Sequence, residues 1–193
     1  MIACRVFRVS AATDAELRQW FSEADASRQA QVLHLKRVQA QKQCLCADHL
    51  VRDMLRAHGI VPEFARDENG KPFLLSGALH FNLTHSGDYV ACALHNAPIG
   101  IDLEALREVS PALMDKVCSV QEQEYILLDG TFDSTRFLQV WTAKEAYLKY
   151  LGCGVRCDLR KVEVVTNGTL AISGASLHTE LTEEFALAYA HAQ

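Results

Sequence analysis

Two acidic side chains alternate with apolar ones in the stretch PIGIDLE, residues 98–104. The alternation predicts a β-strand that buries its isoleucine and leucine side chains on one face, so that Asp102 and Glu104 project together from the other face. Two neighbouring carboxylates repel each other unless a cation lies close to both. We therefore favour a hard-metal site here over two acids at the solvated end of a strand.

A second group of charges lies on the predicted helix FLQVWTAKEAYLKYLG, residues 137–152. Glu145 and Lys149 are four residues apart, so they can form an ordinary salt bridge or converge on one ligand. Lys144 falls within the apolar stripe of this helix, where an isolated ammonium is too costly, and we expect it to reach a polar partner in the other half of the protein. The stripe consists of Phe137, Val140, Trp141, Leu148 and Leu151.

The carboxylates of Asp102, Glu104 and Glu145 together form an all-oxygen set. Such a set suits Mg²⁺, which binds few protein ligands and is also coordinated by substrate phosphates. Mn²⁺ is the alternative metal. The combination indicates phosphoryl or nucleotide chemistry.

Candidates for holding an anionic substrate lie upstream of these acids. A strand predicted over residues 79–84 runs into Thr84-His85-Ser86-Gly87, which is either an ordinary turn or a phosphate cradle. The remaining candidates are basic, and for them solvated charge is the alternative to anion binding. They are Lys71 in the turn Gly70-Lys71-Pro72, and Lys36, Arg37 and Lys42 at the start of a long helix predicted over residues 36–58.

The predicted elements repeat along the chain. Each half begins with a strand, continues with helices that include a long amphipathic one, and ends with strands. The closing segments, YVACALH at 89–95 and FALAYAH at 185–191, are similar. We predict an α+β fold built as a pseudo-twofold pair of similar halves, residues 1–97 and 98–193, packed as one body with the paired acids at their junction. Helix starts are predicted by capping boxes at Thr13–Glu16 and Ser119–Glu122, by Ser110-Pro111, and by Asp133 or Ser134.

Composition excludes several classes of protein. With 193 residues, 49% apolar and 22% charged, the chain is typical of a folded soluble protein. Its net charge of −5 argues against duplex binding, although residues 1–60 hold nine Lys/Arg against six Asp/Glu and could meet an acidic partner. No export signal or spanning segment is expected, which predicts a cytoplasmic protein with seven free thiols and no zinc site.

Four blocks, in order and at matching spacing, resemble the signature of the Sfp-type 4′-phosphopantetheinyl transferases. They are GKP at 70–72, FNLTHS at 81–86, IGIDLE at 99–104 and WTAKEAYLK at 141–149. The resemblance implies a transfer of 4′-phosphopantetheine from coenzyme A to a serine of an apo acyl or peptidyl carrier protein, with release of 3′,5′-ADP. The carrier would belong to fatty acid, polyketide or nonribosomal peptide biosynthesis, and fold analogy suggests a monomer.

The resemblance also assigns roles to residues. Asp102, Glu104 and Glu145 would hold Mg²⁺ against the pyrophosphate, and either Glu145 or a water on the metal would take the proton of the serine hydroxyl. Lys149 would support charge on the attacked phosphate. The coenzyme A contacts would come from Thr84 and His85 at the phosphates, Lys71 and Pro72 at the nucleotide end, and Lys36 or Arg37 in the basic rim.

The chain departs from the family pattern at two positions. Thr84 stands where a serine is frequent, which keeps the hydroxyl. Gln43 stands where an arginine for the 3′-phosphate is common, and Lys42 or Arg37 could replace it. Two other functions stay open at this point, namely a coenzyme A or nucleotide-binding module without turnover, and another Mg²⁺-dependent enzyme such as a phosphohydrolase.

Overall fold

The computed structural model describes residues 3–67, 70–152 and 158–193. The chain divides into two compact units, residues 1–96 and 97–193. Both units combine helices with antiparallel sheet, so the predicted α+β class is confirmed. Among the described residues, no helix is long and apolar enough to cross a membrane. Of the seven predicted free thiols, Cys153 and Cys157 lie outside the described residues, and the five cysteines that the structure describes are free thiols.

The first unit packs helices against a small sheet. The elements are β1 (Ala3–Arg8), α1 (Asp14–Glu23), α2 (Ala26–His34), α3 (Val38–Ala57), β2 (Phe64–Arg66), β3 (Pro72–Leu74), β4 (His80–Ser86) and β5 (Tyr89–His95). The sheet has the order β1-β5-β4, with all pairs antiparallel. The core is formed by α3 side chains such as Leu50 and Met54 against β5 side chains such as Val90 and Leu94.

The second unit has the same plan. The elements are β6 (Ile99–Ala105), α4 (Met114–Val117), α5 (Val120–Ile126), β7 (Leu127–Leu128), β8 (Thr131–Phe132), α6 (Ser134–Leu151), β9 (Val165–Thr166), β10 (Thr169–Leu170), β11 (Ser176–Leu181) and β12 (Phe185–His191). The sheet has the order β11-β12-β6, again antiparallel. The helix α6 packs on this sheet, with Phe137, Val140 and Ala143 buried against Ala186 and Ala188 of β12.

The predicted repetition is visible in the topology. In each unit the first strand and the last-but-one strand are the edges of a three-stranded sheet, and the last strand lies between them. A long helix covers that sheet, α3 in the first unit and α6 in the second. The two units are therefore similar α+β halves.

Local signals placed most helix ends correctly. The capping boxes at Thr13–Glu16 and Ser119–Glu122 are both formed, and Asp133 caps α6 by accepting hydrogen bonds from two backbone amides. The prediction for Ser110 is wrong in part, because Pro111 opens only a short 3₁₀ turn and the serine side chain makes no cap hydrogen bond.

Other predictions need correction. Leu151, placed in the buried stripe of α6, is 51% exposed at the helix end. Residues 84–86 are not a turn, because β4 continues to Ser86 and a two-residue hairpin turn, Gly87-Asp88, follows it. The short hairpins β2–β3 and β7–β8 and the edge strand β11 were not predicted.

Candidate active site

A close approach between β6 and α6 brings the charged side chains of the second unit together. Gly100 is a strand residue whose missing Cβ would lie 2.1 Å from the backbone oxygen of Ala146 and 2.3 Å from the backbone nitrogen of Tyr150. Only glycine leaves room for the helix backbone at this point. Because side chains alternate along a strand, Asp102 and Glu104 lie on the same face of β6 as Gly100.

Lys149 is held on this face by Asp102. Its Nζ donates to Oδ1 of Asp102 at 2.6 Å and to the backbone oxygen of Ile101 at 3.1 Å. The Asp102 side chain is buried, whereas Lys149 is 28% exposed. The ion pair of Lys149 with Asp102 joins helix to strand.

Glu104 has a cation of its own. Arg107, three residues along, places Nη1 2.6 Å from Oε2 of Glu104, and its side chain is half exposed. The two neighbouring carboxylates of β6 were expected to need a compensating cation. Lys149 and Arg107 supply part of that compensation in this structure.

Glu145 lies within electrostatic reach of both acids. Partial burial raises the pKa of its carboxyl group above the ordinary value, the Asp102 carboxylate raises it further, and Glu104 does so more weakly. Lys149 acts in the opposite direction and lowers the pKa. The predicted three carboxylates are therefore close enough to interact, although they come from two separate elements.

The donor chemistry of these residues fits a hard divalent cation. Oxygen donors from Asp102, Glu104 and Glu145 are the ligand type that Mg²⁺ and Mn²⁺ prefer. In the part of the chain that the structure describes, no group of three or more His, Cys, Asp or Glu side chains is arranged closely enough to hold a metal ion.

The anion-binding candidates of the first unit fall on different elements. Thr84 is buried within β4, and His85, the next residue, is exposed. Neighbouring strand residues point to opposite faces, so Thr84 and His85 lie on different faces of β4. Lys71 and Pro72 lie at the β2–β3 hairpin, where the Lys71 amide donates to Oδ1 of Asp67 at 2.9 Å.

Pro72 lines a cavity of about 290 Å³ together with three arginines, Arg28, Arg52 and Arg66. No pattern in the sequence indicated a role for these arginines. The cavity is also lined by Phe64, Ala65, Ser27 and Asp25. A cationic pocket with an aromatic side chain can receive a phosphorylated nucleotide.

A buried ion network holds two of the arginines in place. Asp48, in α3, accepts from Nε of Arg28 at 3.0 Å through Oδ1 and from Nε of Arg52 at 2.7 Å through Oδ2. Nη2 of Arg52 also lies 3.0 Å from Oδ2 of Asp25. The four-residue spacing from Asp48 to Arg52 was the one signal in the sequence that could have revealed this network.

The remaining candidates of the first unit do not line this cavity. Lys36 and Arg37 are exposed in the connection between α2 and α3. Gln43, at the position considered for the 3′-phosphate, is buried and donates from Nε2 to the backbone oxygen of Gly87 at 2.9 Å. Gln39 donates to the same oxygen at 3.0 Å, so both amides fix the β4–β5 turn.

Lys144 does have the polar partner that was expected. Its Nζ lies 2.6 Å from Oε2 of Glu122, and both side chains are fully buried. The expectation that it reaches the other half is wrong, because Glu122 belongs to α5 of the same unit.

Comparison with known proteins decides the family. Residues 98–191 match the model of the 4′-phosphopantetheinyl transferase superfamily. The chain is also 33% identical over 129 residues to the 4′-phosphopantetheinyl transferase AcpT of Salmonella typhimurium, which covers 64% of this chain and 67% of that protein. The chain belongs to the 4′-phosphopantetheinyl transferase superfamily.

Other members of the superfamily match a similar region. The 4′-phosphopantetheinyl transferase gsp of Aneurinibacillus migulanus is 33% identical over 112 residues, 56% of this chain and 46% of that protein. The 4′-phosphopantetheinyl transferase Sfp of Bacillus subtilis (strain 168) is 35% identical over 104 residues, 52% of this chain and 46% of that protein. The chain spans about half the length of these two relatives.

The superfamily match contains the acidic group of the second unit. Asp102, Glu104, Glu145 and Lys149 all lie within residues 98–191. The cavity around Pro72 lies outside that range.

Proposed function

We propose that this superfamily member transfers 4′-phosphopantetheine from coenzyme A to a serine hydroxyl of an apo acyl or peptidyl carrier protein. The observation that supports this proposal most is the Asp102–Lys149 ion pair beside Glu145, whose pKa is raised by burial and by its acidic neighbours. A cation, a proton acceptor and further carboxylates on one face are the groups that phosphoryl transfer uses.

The reaction exchanges one phosphorus–oxygen bond for another. The serine oxygen bonds to the phosphorus that carries pantetheine, the anhydride bond to the nucleotide breaks, and 3′,5′-ADP leaves. The hydroxyl proton goes to Glu145 or to a water molecule.

Asp102, Glu104 and Glu145 are proposed to hold Mg²⁺, or Mn²⁺ in its place, which when bound would supply positive charge against the pyrophosphate. Lys149 is partly exposed and its stem is flexible, so its ammonium can turn from Asp102 to a substrate phosphate. Its charge would then offset the negative charge that spreads over the phosphoryl oxygens.

Binding of coenzyme A is assigned mainly to the first unit. Lys71, Pro72, Thr84 and His85 keep their proposed roles, and the arginine cavity beside Pro72 adds cations for the nucleotide end. Lys36 and Arg37 are proposed as an exposed cationic rim for its phosphates. Arg66 is the best single test, because it lines the cavity and, among the described residues, donates to two neutral acceptors, the backbone oxygen of Gly70 and Oε1 of Gln31.

Arg66→Ala is expected to raise KM for coenzyme A about tenfold or more while kcat changes little. A charge-assisted hydrogen bond contributes about 1.5–3 kcal/mol, and about 1.4 kcal/mol corresponds to a factor of ten. Initial rates at varied coenzyme A concentration measure the effect. Arg56→Ala, at an exposed arginine outside the cavity, is the control, and equal KM values for both variants would contradict the assignment.

Intact-mass spectrometry tests the proposed reaction directly. The purified chain is incubated with coenzyme A, Mg²⁺ and each of several apo carriers from fatty acid, polyketide and peptide synthetases. A carrier that gains one phosphopantetheine supports the proposal, and no gain on any carrier contradicts it. Phosphate release from coenzyme A without a carrier would indicate a phosphohydrolase, and binding without turnover would indicate a binding module.

The same preparation tests two further expectations. Light scattering after size exclusion is expected to give the mass of a monomer. Fractionation of the producing cell is expected to place the protein in the cytoplasm.

A further inference from the structure

We infer that Lys144 is a positioning residue for Glu145 and Lys149, the two charged side chains that follow it on α6. The inference rests on the function proposed above for Glu145 and Lys149. Its basis is the ion pair of Lys144 with Glu122, in which both side chains are 0% exposed and Nζ lies 2.6 Å from Oε2. No substrate can touch a side chain buried to this degree, so any effect on catalysis must pass through α6.

Both partners of the pair have all their polar groups satisfied. Besides Glu122, the Lys144 ammonium donates to the backbone oxygens of Val117 at 2.9 Å and Leu159 at 2.7 Å, which uses its three donors. Oε2 of Glu122 also accepts from the Ser119 amide at 2.7 Å, and Oε1 accepts from the Val164 amide at 3.0 Å.

These contacts tie α6 to the segments around it. Val117 ends α4, Ser119 caps α5, and Leu159 and Val164 belong to the segment before β9. On a helix, Lys149 lies about 140° around the axis from Lys144, and it is held by Asp102 of β6. The contacts of Lys144 with Glu122 and of Lys149 with Asp102 therefore fix the rotation of α6 from two sides. Glu145 lies about 100° around the axis from Lys144, so the same rotation sets its position.

Stability alone does not account for this arrangement. A buried ion pair can often be replaced by apolar side chains of similar volume without loss of stability, because two charges must be removed from water to form it. What apolar packing does not supply is a directional contact. The pair with its four backbone hydrogen bonds holds α6 in one rotation, and that rotation sets the direction in which the next residue, Glu145, leaves the helix.

The test is the double variant Lys144→Met/Glu122→Gln, which removes both charges and keeps similar volumes. We expect a folded protein whose kcat for carrier modification is at least tenfold lower while KM for coenzyme A stays within twofold. Val140→Ala is the control, because Val140 is fully buried on the same helix and makes no polar side-chain contact. It is expected to lower Tm while keeping kcat.

Wild-type kcat in the folded double variant would overturn the inference, and so would an equal loss of kcat in Val140→Ala. If the double variant does not fold, Glu122→Gln alone decides. This change keeps the size and one acceptor but removes the charge, and kcat is expected to fall several-fold. A kcat equal to that of the wild type would then overturn the inference.

A second readout does not depend on catalysis. In ¹⁵N-lysine protein, the Lys149 ammonium should give a slowly exchanging signal because it is bound to Asp102 and Ile101. The signal is assigned by its loss in Lys149→Gln. It is expected to shift or broaden in the double variant and to stay in place in Val140→Ala. An unchanged signal would overturn the inference even if no carrier is modified by the wild type.

Discussion

Glu145→Gln is expected to lower kcat for carrier modification by about 10²–10⁴-fold. The substitution keeps the size of the side chain but removes the proton acceptor and one of the three carboxylates. Stability should move the other way. The pKa of Glu145 is raised by burial and by Asp102 and Glu104, so the folded state holds its proton more tightly than the unfolded state does.

The sign of this linkage gives a separate measurement. The ionised carboxylate of Glu145 costs stability once the pH has risen through its raised pKa, and this cost is fully present at pH values above that pKa. Glutamine removes it, so Tm of Glu145→Gln in metal-free buffer at pH 7.5 is expected to equal or exceed that of the wild type. The difference between the two Tm values should shrink as the pH falls below the ordinary glutamate value.

A control variant separates position from charge. Glu183→Gln changes the same side chain at an exposed site of the second unit and should leave both kcat and Tm unchanged. Near-normal kcat in Glu145→Gln would refute the role assigned to Glu145. A large fall in Tm with the loss of kcat would point to unfolding instead.

Short-range patterns in the sequence were sufficient to predict where helices begin and that Asp102 and Glu104 share one face of a strand. A capping box needs only residues three apart, and strand alternation needs only neighbours, so Thr13, Ser119 and the pair Asp102 and Glu104 could be placed correctly. The cost of an isolated buried charge also predicted that Lys144 has a partner.

The partners themselves could not be predicted, because they are distant in the sequence. Lys144 forms an ion pair with Glu122, and Lys149 forms one with Asp102, which is 47 residues away in the sequence. The cation needed near Asp102 was therefore assigned to a metal alone. The structure shows that Lys149 supplies part of it, and the proposed metal would have to share Asp102 with that ammonium.

Strands whose extended conformation depends on pairing with a neighbouring strand were the other failures. The edge strand β11, SLHTEL, is half exposed and polar, and its strand conformation is fixed by pairing with β12. Likewise the predicted strand ended at Thr84, and Thr84 and His85 were predicted to open a turn or a phosphate cradle. Pairing with Ala91 and Val90 of β5 keeps them extended instead.

Gly100→Ala is expected to lower the free energy of unfolding of the second unit by about 3 kcal/mol or more. Overpacking typically costs about 1–3 kcal/mol, and a rigid neighbour brings the cost to the upper end of that range. The added Cβ would lie 2.1 Å from the Ala146 backbone oxygen and 2.8 Å from the Lys149 carbonyl carbon. These are backbone atoms, so β6 and α6 must separate. Chemical denaturation measures the free energy of unfolding, and carrier modification measures the accompanying loss of kcat.

Gly174→Ala is the matched control for this prediction. No atom lies within 4 Å of the Cβ that would be added there, but the backbone has φ of +80°. That change should cost only about 1–2 kcal/mol, the cost of a left-handed alanine, and should leave kcat intact. If both substitutions lower the free energy of unfolding by the same amount and Gly100→Ala keeps wild-type kcat, close packing of β6 on α6 does not position Asp102 against Lys149. A larger cost at Gly100 together with lost kcat would show that the glycine sets the spacing on which the ion pair depends.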